Sequence, residues 1–304
     1  MRKNNKIYCG NCLGILKKLP DNYIDCVMTS PPYWALRDYG VEDQLGLEVN
    51  FDEYIKKLCD IFDEVKRTLK NTGTCWVNLG DTYYTKSGGA FLNDNLNSKE
   101  RIEKLGINRA NNIRGRGLLE SKNLTLIPFR FAVEMQRRGW ILRNVIIWHK
   151  PNCMPTSVKD RFTVDFEYLF FFVKSKKYYF EQQREPHKEE SKKRTEYNWN
   201  GHREVGSSYA GMDIKKMCHP NGRNKRCVWT ITTKGFRGSH FAVYPEGLCE
   251  IPIKAGCPKN GIVLDPFCGS GTTGIVCKKL NRNFLGIDIN PKYCKIAESR
   301  ISKI

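Results

Sequence analysis

The stretch "VLDPFCGSGTTG", residues 263–274, carries the strongest fold signal of the chain, because it joins an apolar run, a carboxylate and a glycine turn. Gly269, Gly271 and Gly274 fit the pattern GxGxxG, which follows a predicted strand and opens a predicted helix. Asp288 ends the next predicted strand, 19 positions after Gly269 (288 − 269). In nucleoside sites such glycines let the backbone approach the ligand, and the acid accepts the ribose hydroxyls. No Gly-Lys-Ser/Thr follows, which excludes a P-loop.

Two cofactors fit this turn, a nicotinamide dinucleotide and S-adenosylmethionine. Asp265 ends the strand before the glycines. A carboxylate beside the turn would repel a pyrophosphate, but it suits the ammonium group of a methionine moiety. Only 16 residues follow Asp288 (304 − 288), too few to complete a doubly wound sheet. We therefore expect the catalytic half to come first in the chain and the cofactor half last.

A second stretch, "MTSPPYW" at residues 28–34, follows a predicted buried strand. The carboxyl ends of parallel strands meet in one crevice, so Ser30 and the two prolines would face the cofactor turn. The exocyclic amine of a base is a poor nucleophile, and acceptors for its N–H bonds free its lone pair. The Ser30 hydroxyl and the Pro31 carbonyl are candidate acceptors, and Tyr33 offers a stacking face for a base taken out of the duplex.

Alternating strand and helix patterns predict an α/β fold, with a mostly parallel sheet and helices on both faces. The elements predicted outside the two motifs are a strand at 6–11, helices at 12–20, 51–73 and 126–139, and strands at 74–81, 140–150 and 165–175.

The composition favours a polyanionic partner. The 304 residues include 51 Lys and Arg against 32 Asp and Glu, a net charge of +19. No apolar run is long enough for a membrane span, and no secretion signal is seen, so we expect a cytoplasmic protein. The 13 cysteines are expected to be reduced thiols, and the Cys9–Cys12 pair lacks the second pair that a structural zinc needs. No metal is predicted.

Two polar, basic stretches interrupt the predicted elements. Residues 85–123 are predicted to form a mobile surface loop or lid. From Arg184 to Arg237 there are 13 basic and 6 acidic residues, with aromatic residues such as Trp229 among them. This second stretch fits either a segment that faces nucleic acid or a solvated insertion with its own aromatic cluster.

Four segments together resemble one family. "TSPPYW" is similar to the catalytic motif, and "DPFCGSGTT" to the cofactor motif, of the permuted β class of DNA amino-methyltransferases of restriction–modification systems and phages. "IIWHKPNCMP" (146–155) and "SHFAVYPEGL" (239–248) resemble the segments that precede the family's variable region and its cofactor strand. The resemblance implies a Rossmann-like methyltransferase fold with circularly permuted motifs. Its parts would be a catalytic half (1–154), a target recognition region with one core strand (155–237) and a cofactor-binding half (238–304).

The resemblance also implies site residues. The target base would be held by Ser30, Pro31, Pro32 and Tyr33. The cofactor, S-adenosyl-L-methionine, would be held by Asn11, His240, Asp265, Pro266, Phe267, Gly269, Ser270, Gly271, Thr272 and Asp288. Asn11 stands where many relatives carry an acid, and His240 fits a packed core histidine equally well. The candidates for DNA contacts are Arg109, Arg114, Arg116, Arg223, Lys225 and Arg226.

The implied activity is methylation of double-stranded DNA with base flipping. Relatives with serine at position 30 mostly methylate cytosine N4, which favours that target over adenine N6. An oxidoreductase, a non-catalytic DNA-binding protein and an RNA methyltransferase stay as alternatives. A cognate restriction endonuclease is a candidate partner, no membrane partner is expected, and monomer and homodimer are both left open.

Overall fold

The computed structural model describes residues 5–36, 38–48, 50–84, 119–190, 193, 219–233 and 243–304. The helices are α1 (Cys12–Leu16), α2 (Phe51–Thr68), α3 (Ile127–Arg137), α4 (Glu246–Gly256), α5 (Thr272–Lys279) and α6 (Pro291–Ser302). The strands are β1 (Lys6–Cys9), β2 (Ile24–Thr29), β3 (Leu69–Leu79), β4 (Ile141–His149), β5 (Phe166–Val173), β6 (Arg184–Glu185), β7 (Arg223–Asn224), β8 (Val228–Thr230), β9 (Ile262–Asp265) and β10 (Asn283–Asp288).

Eight strands form one sheet in the order β1-β10-β9-β2-β3-β5-β4-β8. Neighbours from β1 to β3 are parallel, and β5 runs antiparallel between β3 and β4. The late strands β9 and β10 lie between the early strands β1 and β2. The predicted α/β class with a mostly parallel sheet is therefore confirmed, and so is the expectation that the end of the chain completes a sheet begun at its start.

Helices cover both faces of this sheet, as predicted. Val27 and Met28, neighbours on β2, are both fully buried but in different cores. Val27 packs in the core with Phe62 of α2, and Met28 in the core with Leu248 of α4. Because side chains of a strand alternate between faces, a continuous apolar strand such as β2 needs a helical layer on each side.

The prediction for residues 51–73 was wrong at its end. The helix ends at Thr68, and Leu69 is already extended (φ −71°, ψ 135°) and pairs with Ile24. Asn71 and Gly73, which were expected to end the helix, lie inside β3. The register shifts between Ile24 and Cys26, and a Cβ at Gly73 would lie 2.6 Å from the Leu69 side chain. Gly73 thus gives the irregular strand the space it needs beside Leu69, and it does not end a helix.

The segment Glu181–Arg226 forms a compact unit of its own, separate from the unit made of Met1–Phe180 and Cys227–Ile304. Its described part contains the antiparallel ribbon of β6 and β7. Trp229, which the sequence grouped with this segment, instead lies buried in β8 of the large sheet. The predicted recognition region at 155–237 thus also contains β5 and β8, and its boundaries stay a prediction. In the described ranges, none of the helices has the length and apolarity that crossing a membrane requires.

Candidate active site

A cavity of about 1080 Å³ opens at the carboxyl ends of β1, β2, β9 and β10. It brings most of the predicted residues together: Ser30, Pro31, Pro32 and Tyr33 on one side, and Asn11, Pro266, Phe267, Gly269, Ser270, Thr272 and Asp288 on the other. Asp265 and Gly271 do not line it. His240, Arg109, Arg114 and Arg116, like most of the predicted loop at 85–123, fall outside the described residues.

Backbone N–H groups hold the carboxylate of Asp288 beside the glycine turn. Gly269 has a positive φ of 48°, and its N–H donates to Asp288 Oδ2 at 2.8 Å. The Asn290 N–H donates to Asp288 Oδ1 at 2.8 Å. Burial raises the pKa of Asp288, and these backbone hydrogen bonds oppose that rise. Each carboxylate oxygen keeps a further lone pair, so this oriented acid can still accept hydroxyl groups from a ligand.

The other two glycines of the turn serve packing. At Gly271, where φ is 80°, a Cβ would lie 2.8 Å from Ala297 Cβ on α6. At Gly274 it would lie 2.4 Å from Ile301 Cδ1 and 2.7 Å from Phe284 Cδ1. The close approach that the pattern predicted is therefore an approach of α5 to α6 and β10, and Gly271 acts on the ligand site through the backbone shape alone.

The side chain of Asp265 does not line the cavity, although the sequence analysis placed it beside the cofactor. Its side chain is fully buried and accepts from Thr29 Oγ1 (2.6 Å), Thr273 Oγ1 (2.6 Å), Tyr244 OH (2.9 Å) and the Phe267 N–H (3.1 Å). Burial raises the pKa of Asp265, while these donors favour the charged form. A carboxylate with four internal donors is a structural anchor that ties β2 to the cofactor turn, and a direct contact with a ligand ammonium group does not fit its position.

Two features of the cavity suit the expected cofactor. The Thr272 hydroxyl is buried at the cavity wall and has no hydrogen-bond partner among the described residues. A ligand carboxylate or carbonyl would satisfy it. The charge of the lining is negative although the chain carries +19. Its carboxylates are Asp43, Glu48, Asp60, Glu167 and Asp288, against the ammonium groups of Lys57 and Lys150. Such a lining favours a cationic ligand.

On the base side, Tyr33 belongs to a network that the sequence analysis missed. Its hydroxyl donates to Glu167 Oε2 at 2.7 Å, and Asn78 Oδ1 lies 3.4 Å from the same hydroxyl oxygen. Glu167 Oε2 also accepts from Asn78 Nδ2 at 3.0 Å, and Lys150 donates to Glu167 Oε1. Burial raises the pKa of Tyr33 well above its ordinary value, so the phenol stays a neutral donor. A lone acid inside the apolar run "FEYLFFFV" (166–173) was the one sequence signal for Glu167.

The turn that carries Ser30 is fixed from behind. Tyr54 of α2 is fully buried, and its hydroxyl donates to the Pro32 carbonyl at 2.8 Å. Trp34 Nε1 donates to the Glu48 carbonyl at 3.0 Å. The two prolines limit φ, and these two hydrogen bonds hold the chain on the far side of the turn. The turn therefore needs little reordering when a substrate enters.

Asn11, the weaker cofactor candidate, lies at the cavity edge and caps α1. Its Oδ1 accepts from the Gly14 N–H at 3.2 Å. The oxygen that could accept from an adenine amine therefore already caps the helix, and one lone pair is left for a ligand. Asn11 lines the cavity wall, where its amide nitrogen can also act as a donor.

The remaining DNA candidates lie in the separate unit Glu181–Arg226. Arg223 Nε and Arg226 Nε both donate to Glu185 Oε1, at 2.9 and 2.7 Å. Burial pushes the pKa of Glu185 upward, but the two arginines lower it overall. The Arg226 side chain is still 61% exposed, whereas Arg223 is 28% exposed. Lys225 pairs through its backbone N–H with the Gln183 carbonyl at 3.0 Å. Arg226 is thus the better placed of the two arginines to contact a phosphate.

Comparisons with known proteins agree with this geometry. A family model for N6/N4 methyltransferases, described as DNA methylase, matches residues 24–299. The Type II methyltransferase M.SmaI of Serratia marcescens is 42% identical over 296 residues, which cover 97% of this chain and 90% of that protein. The Type II methyltransferase M.Cfr9I of Citrobacter freundii is 40% identical over 295 residues, 97% of this chain and 87% of that protein.

Among solved structures, the PvuII DNA methyltransferase, named as cytosine-N4-specific, has a TM-score of 0.62 at 19% identity and covers 99% of this chain and 87% of its own. That likeness shows the methyltransferase fold, as the circularly permuted order of the two motifs predicted. The family match and the two relatives extend over nearly the whole chain. The chain belongs to the N6/N4 family of DNA methylases and is a DNA methyltransferase.

Proposed function

We propose that the protein transfers a methyl group from S-adenosyl-L-methionine to the exocyclic N4 of a cytosine that has been flipped out of duplex DNA. The observation that carries the proposal is the meeting of two motifs in one cavity. Ser30, Pro31 and Tyr33 line it on one side, and the turn around Gly269 lines it on the other. Adenine N6 is the alternative target, with the same fold and cofactor.

We place the cofactor in the half of the cavity that is lined by the glycine turn and Asp288. Thr272 would donate to the methionine carboxylate, Asp288 would accept from the ribose hydroxyls, and Phe267 would pack against the adenine. When bound, S-adenosyl-L-methionine supplies an electrophilic methyl group on a sulfonium. The negative lining, with Asp288 itself, favours that positive charge.

The base half of the cavity prepares the amine for attack. The Ser30 hydroxyl and the Pro31 carbonyl accept its two N–H bonds, so that the nitrogen lone pair is no longer delocalised into the ring. Tyr33, held by Glu167 and Asn78, presents its ring as a stacking face. Tyr54, which bonds the Pro32 carbonyl, keeps the neighbouring peptide from turning.

Serine at position 30 supports cytosine over adenine, because relatives with this residue mostly methylate cytosine N4. The Type II names of M.SmaI and M.Cfr9I support a role in a restriction–modification system, with a cognate endonuclease as partner and the cytoplasm as location. The exposed Arg226 supports contact with the DNA backbone.

The test is nucleoside mass spectrometry on DNA from a methylation-deficient host that expresses the protein. We expect N4-methylcytosine. N6-methyladenine would keep the fold and the cofactor but reject the serine argument. The absence of both products would reject DNA methylation and move the test to RNA.

The role of Ser30 is tested separately with Ser30→Ala. We expect a loss in kcat of at least about 100-fold, since general acid–base and acceptor groups contribute roughly that factor. The affinity for S-adenosylhomocysteine should change less than about twofold, because a residue that acts only in the transition state leaves ligand affinity unchanged. Equal losses in both would remove Ser30 from the reaction and make it part of the cofactor pocket.

A further inference from the structure

The segment 150–165 forms a loop that starts and ends at one point of the sheet; we call it the strap. Its base is closed by the Lys150 N–H, which donates to the Asp165 carbonyl at 2.7 Å. Asn152 is anchored twice to Thr233: its Nδ2 donates to the Thr233 carbonyl at 3.0 Å, and its Oδ1 accepts from the Thr233 N–H at 2.9 Å. The strap is therefore held firmly at its start.

Beyond these anchors the strap presents apolar side chains to solvent. Met154 is 87% exposed and Phe162 is 95% exposed. Val158 and Val164 are exposed as well. Single exposed apolar residues are ordinary on a protein surface, but several on one short loop indicate an interaction site.

The position of the strap indicates what it contacts. Asn152, Cys153, Met154 and Val164 all line the catalytic cavity, so the strap forms part of its rim. Any base that enters this cavity must pass the rim. The DNA strand that carries the base, and the base it was paired with, would then lie next to the rim. Met154 and Val164 thus lie beside the path of the substrate, and Phe162 is carried by the same short loop.

The charges near the tip suit a duplex better than an apolar protein partner. Lys159 and Arg161 flank Asp160, whose carboxylate is paired with Lys122 at 2.6 Å. Arg161 lies over the Tyr83 ring, 3.9 Å from its centroid. Apolar side chains between basic residues are typical of segments that insert into DNA, where the cations meet phosphates and the apolar groups meet base faces.

We infer that the strap is a wedge: Met154 and Phe162 enter the duplex at the base step that the target base leaves. This inference rests on the proposed function. Extrusion of a base costs its stacking and pairing and leaves an apolar gap in the duplex. Side chains that fill this gap recover part of the cost and slow the return of the base. Because both side chains are already solvent-exposed, their removal should not disturb the fold.

The test compares two duplexes. The methylated position is first located by sequencing DNA modified by the wild-type protein. One short duplex then carries this site fully paired, and the second carries an abasic residue opposite the target base, so that nothing has to be unpaired. Met154→Ala, Phe162→Ala and the control Val133→Ala are assayed on both. Val133 is exposed to a lesser degree, 47%, on α3, and it does not line the cavity.

We expect kcat/KM on the paired duplex to fall by about tenfold or more for each strap variant, and by less than about threefold on the abasic duplex. The control should match the wild type on both. Equal losses on the two duplexes would overturn the wedge and make the strap a general DNA contact. Unchanged activity on both would also overturn it and leave a protein partner or a second copy as the occupant. If the wild-type protein leaves no methylated position to locate at the first step, the proposed function is rejected, and the wedge with it.

Discussion

Glu167 provides the sharpest test of how the base side of the cavity works. The change is Glu167→Gln, which keeps the size of the side chain and removes its charge. In the protein this carboxylate accepts from Tyr33 OH at 2.7 Å and Asn78 Nδ2 at 3.0 Å, and it pairs with the largely buried Lys150. The glutamine has one acceptor oxygen in place of two, so it cannot satisfy all three donors.

The expected magnitude follows from these contacts. A hydrogen bond to a charged group contributes about 1.5–3 kcal/mol. If the variant loses about 2 kcal/mol of the interaction that orients Tyr33 in the transition state, kcat falls by about 30-fold. Cofactor affinity should hold, because β5, which carries Glu167, is three strands from β9 and the cofactor turn. At about 4.8 Å per strand the separation is about 14 Å.

The assay is single-turnover methylation of duplex DNA, together with calorimetric binding of S-adenosylhomocysteine. A double-mutant cycle with Tyr33→Phe shows whether Glu167 acts through the Tyr33 hydroxyl. Since the hydroxyl and the carboxylate are in direct contact, their effects on kcat should be non-additive by more than about 0.5 kcal/mol. Additive effects, or a parallel loss of cofactor affinity, would refute the positioning role of Glu167.

Three further predictions concern the cofactor turn. Thr272→Val removes a buried hydroxyl that has no partner among the described residues, so the thermal stability of the ligand-free protein should stay equal or rise, while affinity for S-adenosylhomocysteine falls by about tenfold. Gly274→Ala forces a Cβ to within 2.4 Å of Ile301 Cδ1 and should destabilise the protein by about 1–3 kcal/mol in urea unfolding. Burial raises the pKa of Asp288, so the folded protein binds a proton at this carboxyl more tightly than the unfolded chain does. The protonated carboxyl therefore stabilises the fold at low pH, and this contribution is lost as pH rises through the raised pKa. Affinity for S-adenosylhomocysteine should rise over the same interval, because in the proposed role the ionised form would accept the ribose hydroxyls. Asp288→Asn should flatten both profiles in thermal-shift titrations.

The local patterns of the sequence predicted the parts of the fold that depend on them. The glycine turn, its flanking elements and Asp288 all lie within one strand–helix–strand unit, so periodicity and spacing were sufficient. The end of α2 was mispredicted because Asn71 and Gly73 are ordinary helix-stop residues, and only the pairing of Leu69 with Ile24 draws that segment into the sheet. Local propensity is overridden there by strand pairing.

In the site, as in the fold, features of a local motif were predicted and long-range contacts were not. The cavity residues that carry a motif were predicted, but the partners of Tyr33 were not. Glu167 lies on an antiparallel strand inserted beside β3, and it reaches Asn78 and Tyr33 only through that long-range pairing. The inward direction of Asp265 was missed for a related reason: its donors Thr29 and Tyr244 lie outside the motif, Thr29 being 236 positions away in the chain. Spacing predicts which residues end a strand, but not which side chain takes the buried position.

The net charge of the chain and the charge of the cavity lining have opposite signs, and they serve different functions. The chain carries +19, which draws in the phosphate backbone of DNA. The cavity instead has more carboxylates than ammonium groups, among them the buried Glu48 and the partly buried Asp288. A phosphate that approached this interior would meet repulsion, whereas a sulfonium or an uncharged base would not. On the proposed function, the cavity can therefore admit the cofactor and a flipped base while the DNA backbone stays at the rim, where Lys159 and Arg161 of the strap are suited to hold it.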